Sequence, residues 1–140
     1  MKRVLVDTGP IVAILSRTDQ YHKLCVEALR EMPGPLFTCW PVLTEAAWLL
    51  RRSSYAVQQM LRSIDNGFLE LLPLASEDAV LIAAVMKKYH DIRIQLADAA
   101  LVHIATRDGL DTVFTLDQRD FSLYRLPRGR TFRLIPSAIR

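Results

Sequence analysis

The chain has 140 residues, 51% of them hydrophobic and 24% charged, with a formal net charge of +3. Those proportions are those of one globular domain with a core of its own, and no apolar run reaches the roughly 20 residues that span a bilayer. The two cysteines, Cys25 and Cys39, fit neither a disulfide framework nor a zinc spacing and are expected as small buried hydrophobes.

The start, MKRVLVDTGP, lacks the longer apolar region and small-residue cleavage site of a signal peptide, so a cytoplasmic location is expected. Lys2–Val6 is a short β-branched run stopped by Asp7-Thr8-Gly9-Pro10, and it predicts a first strand leading into a turn. Ile11–Leu15 follows as a short helix. Asp19–Met32 carries Leu24, Cys25, Ala28, Leu29 and Met32 at helical spacing and ends at Pro33-Gly34-Pro35. Leu36–Cys39 predicts a second strand, and Pro41 suits the first turn of a helix running through TEAAWLLRR. An amphipathic helix over Tyr55–Ile64 closes at Asn66-Gly67, and Phe68–Leu72 is a third strand. Ser76-Glu-Asp supplies a cap and first-turn acids for a helix to about Tyr89. After a turn around Asp91, the stretch IQLADAALVHIA predicts a helix ending near Asp108-Gly109. Thr112–Leu116 is a fourth strand and Thr131–Ile135 a fifth. Strands alternating with helices imply a mainly parallel sheet in a three-layer α/β/α sandwich, with the functional site beyond the carboxyl ends of the strands.

Asp98 is the anomaly in that pattern. It sits near the middle of a largely apolar stretch, and its neighbours one turn away are Ile94, Gln95, Leu101 and Val102, none of them basic. An i,i+4 ion pair is therefore excluded, although an unpaired buried carboxylate costs several kcal/mol. Glu45, within PVLTEAAWLL, likewise lacks a basic neighbour at i±3 or i±4. Asp7 directly follows strand one, and Asp117 follows strand four in VFTLDQRDF.

Singly, each acid has an ordinary explanation. Asp7 can cap a turn, Glu45 can reach solvent near a helix N-terminus, and Asp117 or Asp120 can pair with Arg119. Asp91 reads as a turn residue or cap, and His103 as a packed or surface histidine. Together, Asp7, Glu45, Asp98 and Asp117 are better explained as one pocket. Clustered carboxylates raise each other's pKa unless a cation intervenes, and oxygen ligands suit a hard divalent cation such as Mg²⁺ or Mn²⁺.

VLVDTGPIVAIL, LTEAAWLL, LADAALVHIATR and FTLDQRDF, in that order, make the chain similar over essentially its whole length to PIN-domain ribonucleases. In particular it resembles the VapC-type toxins of type II toxin–antitoxin pairs. The resemblance implies a single PIN domain over residues 1–140, with Asp7, Glu45, Asp98 and Asp117 as the catalytic and metal-binding quartet. It also implies supporting roles for Thr115 and for Asp120 of the RDF segment. The implied activity is Mg²⁺- or Mn²⁺-dependent endonucleolytic cleavage of RNA, often a structured tRNA or rRNA. Metal-activated water would leave a 5′-phosphate and a 3′-hydroxyl. The implied partners are the RNA substrate, a VapB-like antitoxin and a second copy of the chain in a homodimer, within a higher-order toxin–antitoxin complex.

Five arginines and no acid lie between Tyr124 and Arg140 (Arg125, Arg128, Arg130, Arg133 and Arg140). With Arg51, Arg52 and Arg62 they are candidate phosphate contacts, and a solvated basic edge is the alternative. A receiver-type signalling domain is poorly matched, because Asp7 stands alone, Leu72-Pro73-Leu74 follows the third strand and no Lys occurs after Lys88. A haloacid-dehalogenase-like phosphatase would need an Asp where Gly9 stands. A catalytically silent PIN-like interaction or co-repressor module remains the non-enzymatic alternative.

Overall fold

The structure is a computed structural model that describes residues 3–137. Strand β1 spans Val4–Val6, β2 Leu36–Thr38, β3 Leu69–Leu71, β4 Thr112–Phe114 and β5 Arg133–Ile135. All pairings are parallel, in the order β3-β2-β1-β4-β5. Each strand is three residues long, shorter than the sequence pattern suggests, although the expected bounds at Val6, Leu36, Thr112 and Ile135 are kept. The helices α1 (Thr8–Leu15), α2 (His22–Arg30), α3 (Trp40–Leu49), α4 (Ser54–Asp65), α5 (Asp78–Lys88), α6 (Leu96–Asp108) and α7 (Gln118–Leu123) flank the sheet.

The β-branched and apolar residues of the central strands explain the parallel arrangement. Leu5, Val6, Val113 and Phe114 are fully buried, as strands covered on both faces must be. Fully removing one such side chain from water is worth about 2 kcal/mol. Helix α6 supplies much of the opposing layer, with Ala99, Ala100, Leu101 and Ile104 fully buried. Gly109 ends that helix in the left-handed region (φ 71°), where a side chain would be strained.

Several helix starts differ from the sequence reading. The first helix begins at Thr8, immediately after the β1 acid, because Pro10 fits a first helical turn whose N–H groups need no intrahelical partner. The second begins at His22, since Asp19 instead accepts the Tyr21 N–H at 2.8 Å in a local turn. Ser76 does not cap α5; Asp78 reaches back to the Ala75 N–H at 2.7 Å. Asp98 lies in the first turn of α6 rather than near a helix middle, because Ile94 and Gln95 precede the helix. Helix α7 falls in a segment to which the sequence pattern assigns no element. Lys2 of the expected first strand and Arg140 lie outside the described residues.

Both cysteines are buried, as expected, and burial pushes each thiol up to about 11. His103 is a packed histidine. Its Nε2 lies 2.7 Å from Asp78 Oδ1, and Arg107 donates to the same oxygen at 3.3 Å and to the Pro73 carbonyl at 2.8 Å. This network joins α5 to α6 and so helps fix the helix that carries Asp98. Asp91 is exposed in a single 3₁₀ turn, His90–Ile92.

Candidate functional site

The strand order places the chain's change of direction between β1 and β4, since β2 and β3 lie on one side of β1 and β4 and β5 on the other. A crevice opens at the carboxyl ends there, the usual ligand position in such sheets. Asp7 and Asp117 come from the two strands that flank it. Asp7 leaves β1 with its N–H bonded to the Phe114 carbonyl at 2.9 Å. Its Oδ2 accepts the Thr115 hydroxyl at 2.8 Å, and the same Thr115 oxygen accepts the Asp117 N–H at 3.0 Å. One buried hydroxyl therefore fixes the acid of one strand against the acid of the next.

Asp117 is the N-cap of α7, accepting the Asp120 N–H at 3.4 Å, and Asp120 follows one turn later. Asp98 faces the same crevice from α6, and Glu45 lines it from α3. The crevice has a volume of about 540 Å³, and all five carboxylates line it: Asp7, Glu45, Asp98, Asp117 and Asp120. Oxygens of Asp98, Asp117 and Asp120 lie within 4.8 Å of one another, so Asp120 belongs to the tightest group. Gly9 permits the close approach of the α1 start to Leu116, because a Cβ there would stand 3.3 Å from the leucine side chain.

What accompanies Asp98 is a phenol and more acids. Tyr124, fully buried, donates its hydroxyl to Asp98 Oδ2 at 2.8 Å. Its ring is held edge-on between Tyr89 and Phe121, with centroids 5.0 Å away in each case. Burial first, and then the Asp7 charge, push the Asp98 carboxyl up to about 7 despite that hydrogen bond. Burial likewise raises Asp7 to about 6, against the lowering effect of Thr115. Asp117 is also raised, first by partial desolvation and then by the Asp120 charge. Asp7 Oδ1 and the Thr8 hydroxyl are buried with no hydrogen-bond partner among the described residues.

Such a site favours a cation. It offers only oxygen donors, one of them a buried carboxylate oxygen left over, and its acids resist ionising together. Those properties fit a hard divalent ion better than a soft or nitrogen-seeking one.

The structure thus brings together Asp7, Glu45, Asp98, Asp117 and Asp120, with Thr115 behind them. Tyr124, Thr8 and Arg93 were not anticipated from the sequence. For Tyr124 a signal existed: an aromatic hydroxyl in an apolar run, FSLY, must find a partner when buried. Of the arginines singled out as phosphate contacts, none of Arg51, Arg52, Arg62, Arg125, Arg128, Arg130 or Arg133 lines the crevice. Arg51 donates to the Trp48 carbonyl at 3.0 Å and sits 4.0 Å over that indole.

Three comparisons bear on this arrangement. Residues 4–127 match the family model for the PIN domain. The chain is 30% identical over 135 residues to Ribonuclease VapC26 of Mycobacterium tuberculosis, covering 95% of this chain and 100% of that protein. The crystal structure of Mycobacterium tuberculosis VapC20, a sarcin-ricin loop cleaving toxin, superposes with a TM-score of 0.68 at 15% identity. That match covers 79% of this chain and 86% of the other.

Proposed function

As the chain belongs to the PIN-domain family, we propose that it is a VapC-type toxin that hydrolyses RNA phosphodiester bonds at the acidic crevice. The observation that carries this reading is the convergence of five carboxylates at the β1/β4 strand ends, two of them pushed toward neutrality by burial. We assign Asp7, Glu45, Asp98 and Asp117 as the metal-holding and catalytic acids, with Asp120 and Thr115 in support. A divalent cation, Mg²⁺ or Mn²⁺, held by these oxygens would supply Lewis-acid activation of water and charge neutralisation at phosphorus.

The residues of the chain do the positioning. Thr115 holds Asp7 Oδ2 and the Asp117 backbone together, so the two strand-end acids keep one separation. Tyr124 holds Asp98 Oδ2 and so fixes the orientation of that carboxylate. Preorganisation of this kind spares the site from ordering its ligands during the reaction. The proposed substrate is structured tRNA or rRNA met in the cytoplasm. Among the described residues, no helix is long and apolar enough to cross a membrane.

The proposed assembly is a single PIN domain that pairs with a second copy and with a VapB-like antitoxin. Trp48, Leu49 and Tyr55, 63%, 54% and 70% exposed, give the end of α3 and the start of α4 an apolar surface suited to a protein partner.

Incubation of the purified chain with total RNA should give discrete products with 5′-phosphate ends in Mg²⁺ or Mn²⁺ and none in chelator. Metal-dependent binding of RNA with no cutting would instead favour a silent interaction module. The Tyr124→Phe variant keeps the ring and loses the hydroxyl. It should weaken Mn²⁺ binding by about tenfold in calorimetry, the usual scale for removing a partner of a metal ligand, with little change in melting temperature. Unchanged Mn²⁺ affinity would remove Tyr124 from the site.

A further inference from the structure

Among the described residues that line the crevice there is one cation, Arg93, facing five carboxylates. It stands between the 3₁₀ turn His90–Ile92 and the start of α6, in the left-handed region at φ 57°, ψ 45°. Its N–H closes the turn onto the His90 carbonyl at 3.0 Å. Glycine or asparagine would adopt that backbone at lower cost, so the turn alone does not explain an arginine. Nor does pairing: the guanidinium makes no hydrogen bond or ion pair with any described residue, the five nearby acids included.

Arg93 and Ile94 also form part of a second hollow, whose wall includes Lys87, His90 and Asp91. The arginine therefore stands on the ridge between an acidic crevice and a hollow with a more basic wall. Among the described residues Asp91 is the only acid there, and it lies 3.3 Å from His90 Nδ1. A polyanion that places one phosphate among the carboxylates needs a separate cation for the next phosphate. A guanidinium with free donors binds phosphate oxygens in a fixed, forked geometry.

We infer that Arg93 is a phosphate-contacting residue that holds the RNA backbone beside the scissile linkage and directs the strand over the ridge, past Lys87, into the second hollow. This inference rests on the ribonuclease reading of the crevice. It separates affinity for the strand from the metal-holding acids, which Arg93 does not touch.

The test uses Arg93→Gly, which suits the left-handed backbone, with Arg93→Lys and a charge-matched control, Arg62→Ala, at an exposed α4 position outside both hollows. Binding of fluorescein-labelled bulk tRNA is followed by anisotropy across a salt series, alongside cleavage kinetics and melting temperature. Arg93→Gly should melt at or above the wild-type temperature and bind Mn²⁺ equally well. It should lose about tenfold in RNA affinity and about one unit of salt slope, with the effect on cleavage mainly in KM. Arg93→Lys should recover part of the loss.

Unchanged affinity and slope in Arg93→Gly, or an equal loss in Arg62→Ala, would overturn the inference while leaving the wild-type nuclease activity intact. Wild-type protein that neither binds nor cuts RNA would bring down the ribonuclease reading and this inference together.

Discussion

Replacing Asp98 by Asn should reduce metal-dependent RNA cleavage by at least about a hundredfold while making the metal-free protein harder to unfold at neutral pH. The two effects have one cause. Asp98 is half-buried beside Tyr124 and the other acids, and its carboxyl is pushed up to about 7 by burial and by the Asp7 charge. Its ordinary value is about 3.9, and each pH unit of displacement is worth about 1.4 kcal/mol, so ionised Asp98 burdens the fold by a few kcal/mol at most. Asparagine keeps the shape and can still accept the Tyr124 hydroxyl bond, yet brings no charge. A fold that gives up stability for a function commonly shows this opposition. Cleavage assays paired with thermal melts in chelator at pH 7.5 check both halves. Loss of activity together with loss of stability would mean that Asp98 is structural.

The metal-free wild type should lose stability as pH rises from about 4 to about 7, and Mn²⁺ should restore it. Asp7 and Asp98 titrate in the folded protein at about 6 and about 7, above their unfolded values near 3.9. Protons are therefore bound more tightly by the folded state, so this stabilisation is complete below about pH 4. It is lost as pH climbs through the folded values. The two acids repel each other and titrate as a linked group, which spreads the loss over the whole interval.

Asp78 acts in the opposite sense at lower pH. Its hydrogen bond with His103 holds it down to about 2, so its contribution is lost as pH falls below about 4. The metal-free protein should therefore be most stable near pH 4 as far as these groups decide it. Bound cation replaces the protons, and at 100 times its dissociation constant it should add about 2.7 kcal/mol at neutral pH. Melting curves between pH 3 and 8, with chelator and with Mn²⁺, measure this. A metal-free stability that rises steadily to pH 8 would contradict it.

The sequence reading located the acids because their anomalies were local. Asp98 and Glu45 sit on apolar helices without basic neighbours, and Asp7 and Asp117 follow β-branched runs; nothing distant is needed to see either fact. The parallel sheet follows similarly from strands separated by helices. Other features depended on contacts remote in sequence. Tyr124 meets Asp98 across 26 positions, and periodicity within FSLYRLP carries no trace of that partner.

The sequence pattern starts the first helix three residues late because Thr8-Gly9-Pro10 has the composition of a turn, yet proline is tolerated in a first helical turn. Helix α7 is only six residues long, below the length at which a period can be recognised. Arg93 is inconspicuous in the sequence for a related reason. Charge clustering pointed to the carboxy-terminal arginines, whereas a single arginine at the crevice is distinguished by its backbone conformation and its place on the ridge.

The proposed nuclease activity depends on cation binding at these carboxylates. The most direct measurement is a Mn²⁺ titration of one wild-type sample, followed by calorimetry and, in parallel, by RNA cleavage, with Asp98→Asn run alongside. Cleavage should rise with the same midpoint as Mn²⁺ binding, and both should be lost or greatly weakened in the variant. Cleavage that proceeds before Mn²⁺ is bound, or that survives Asp98→Asn unchanged, would contradict it.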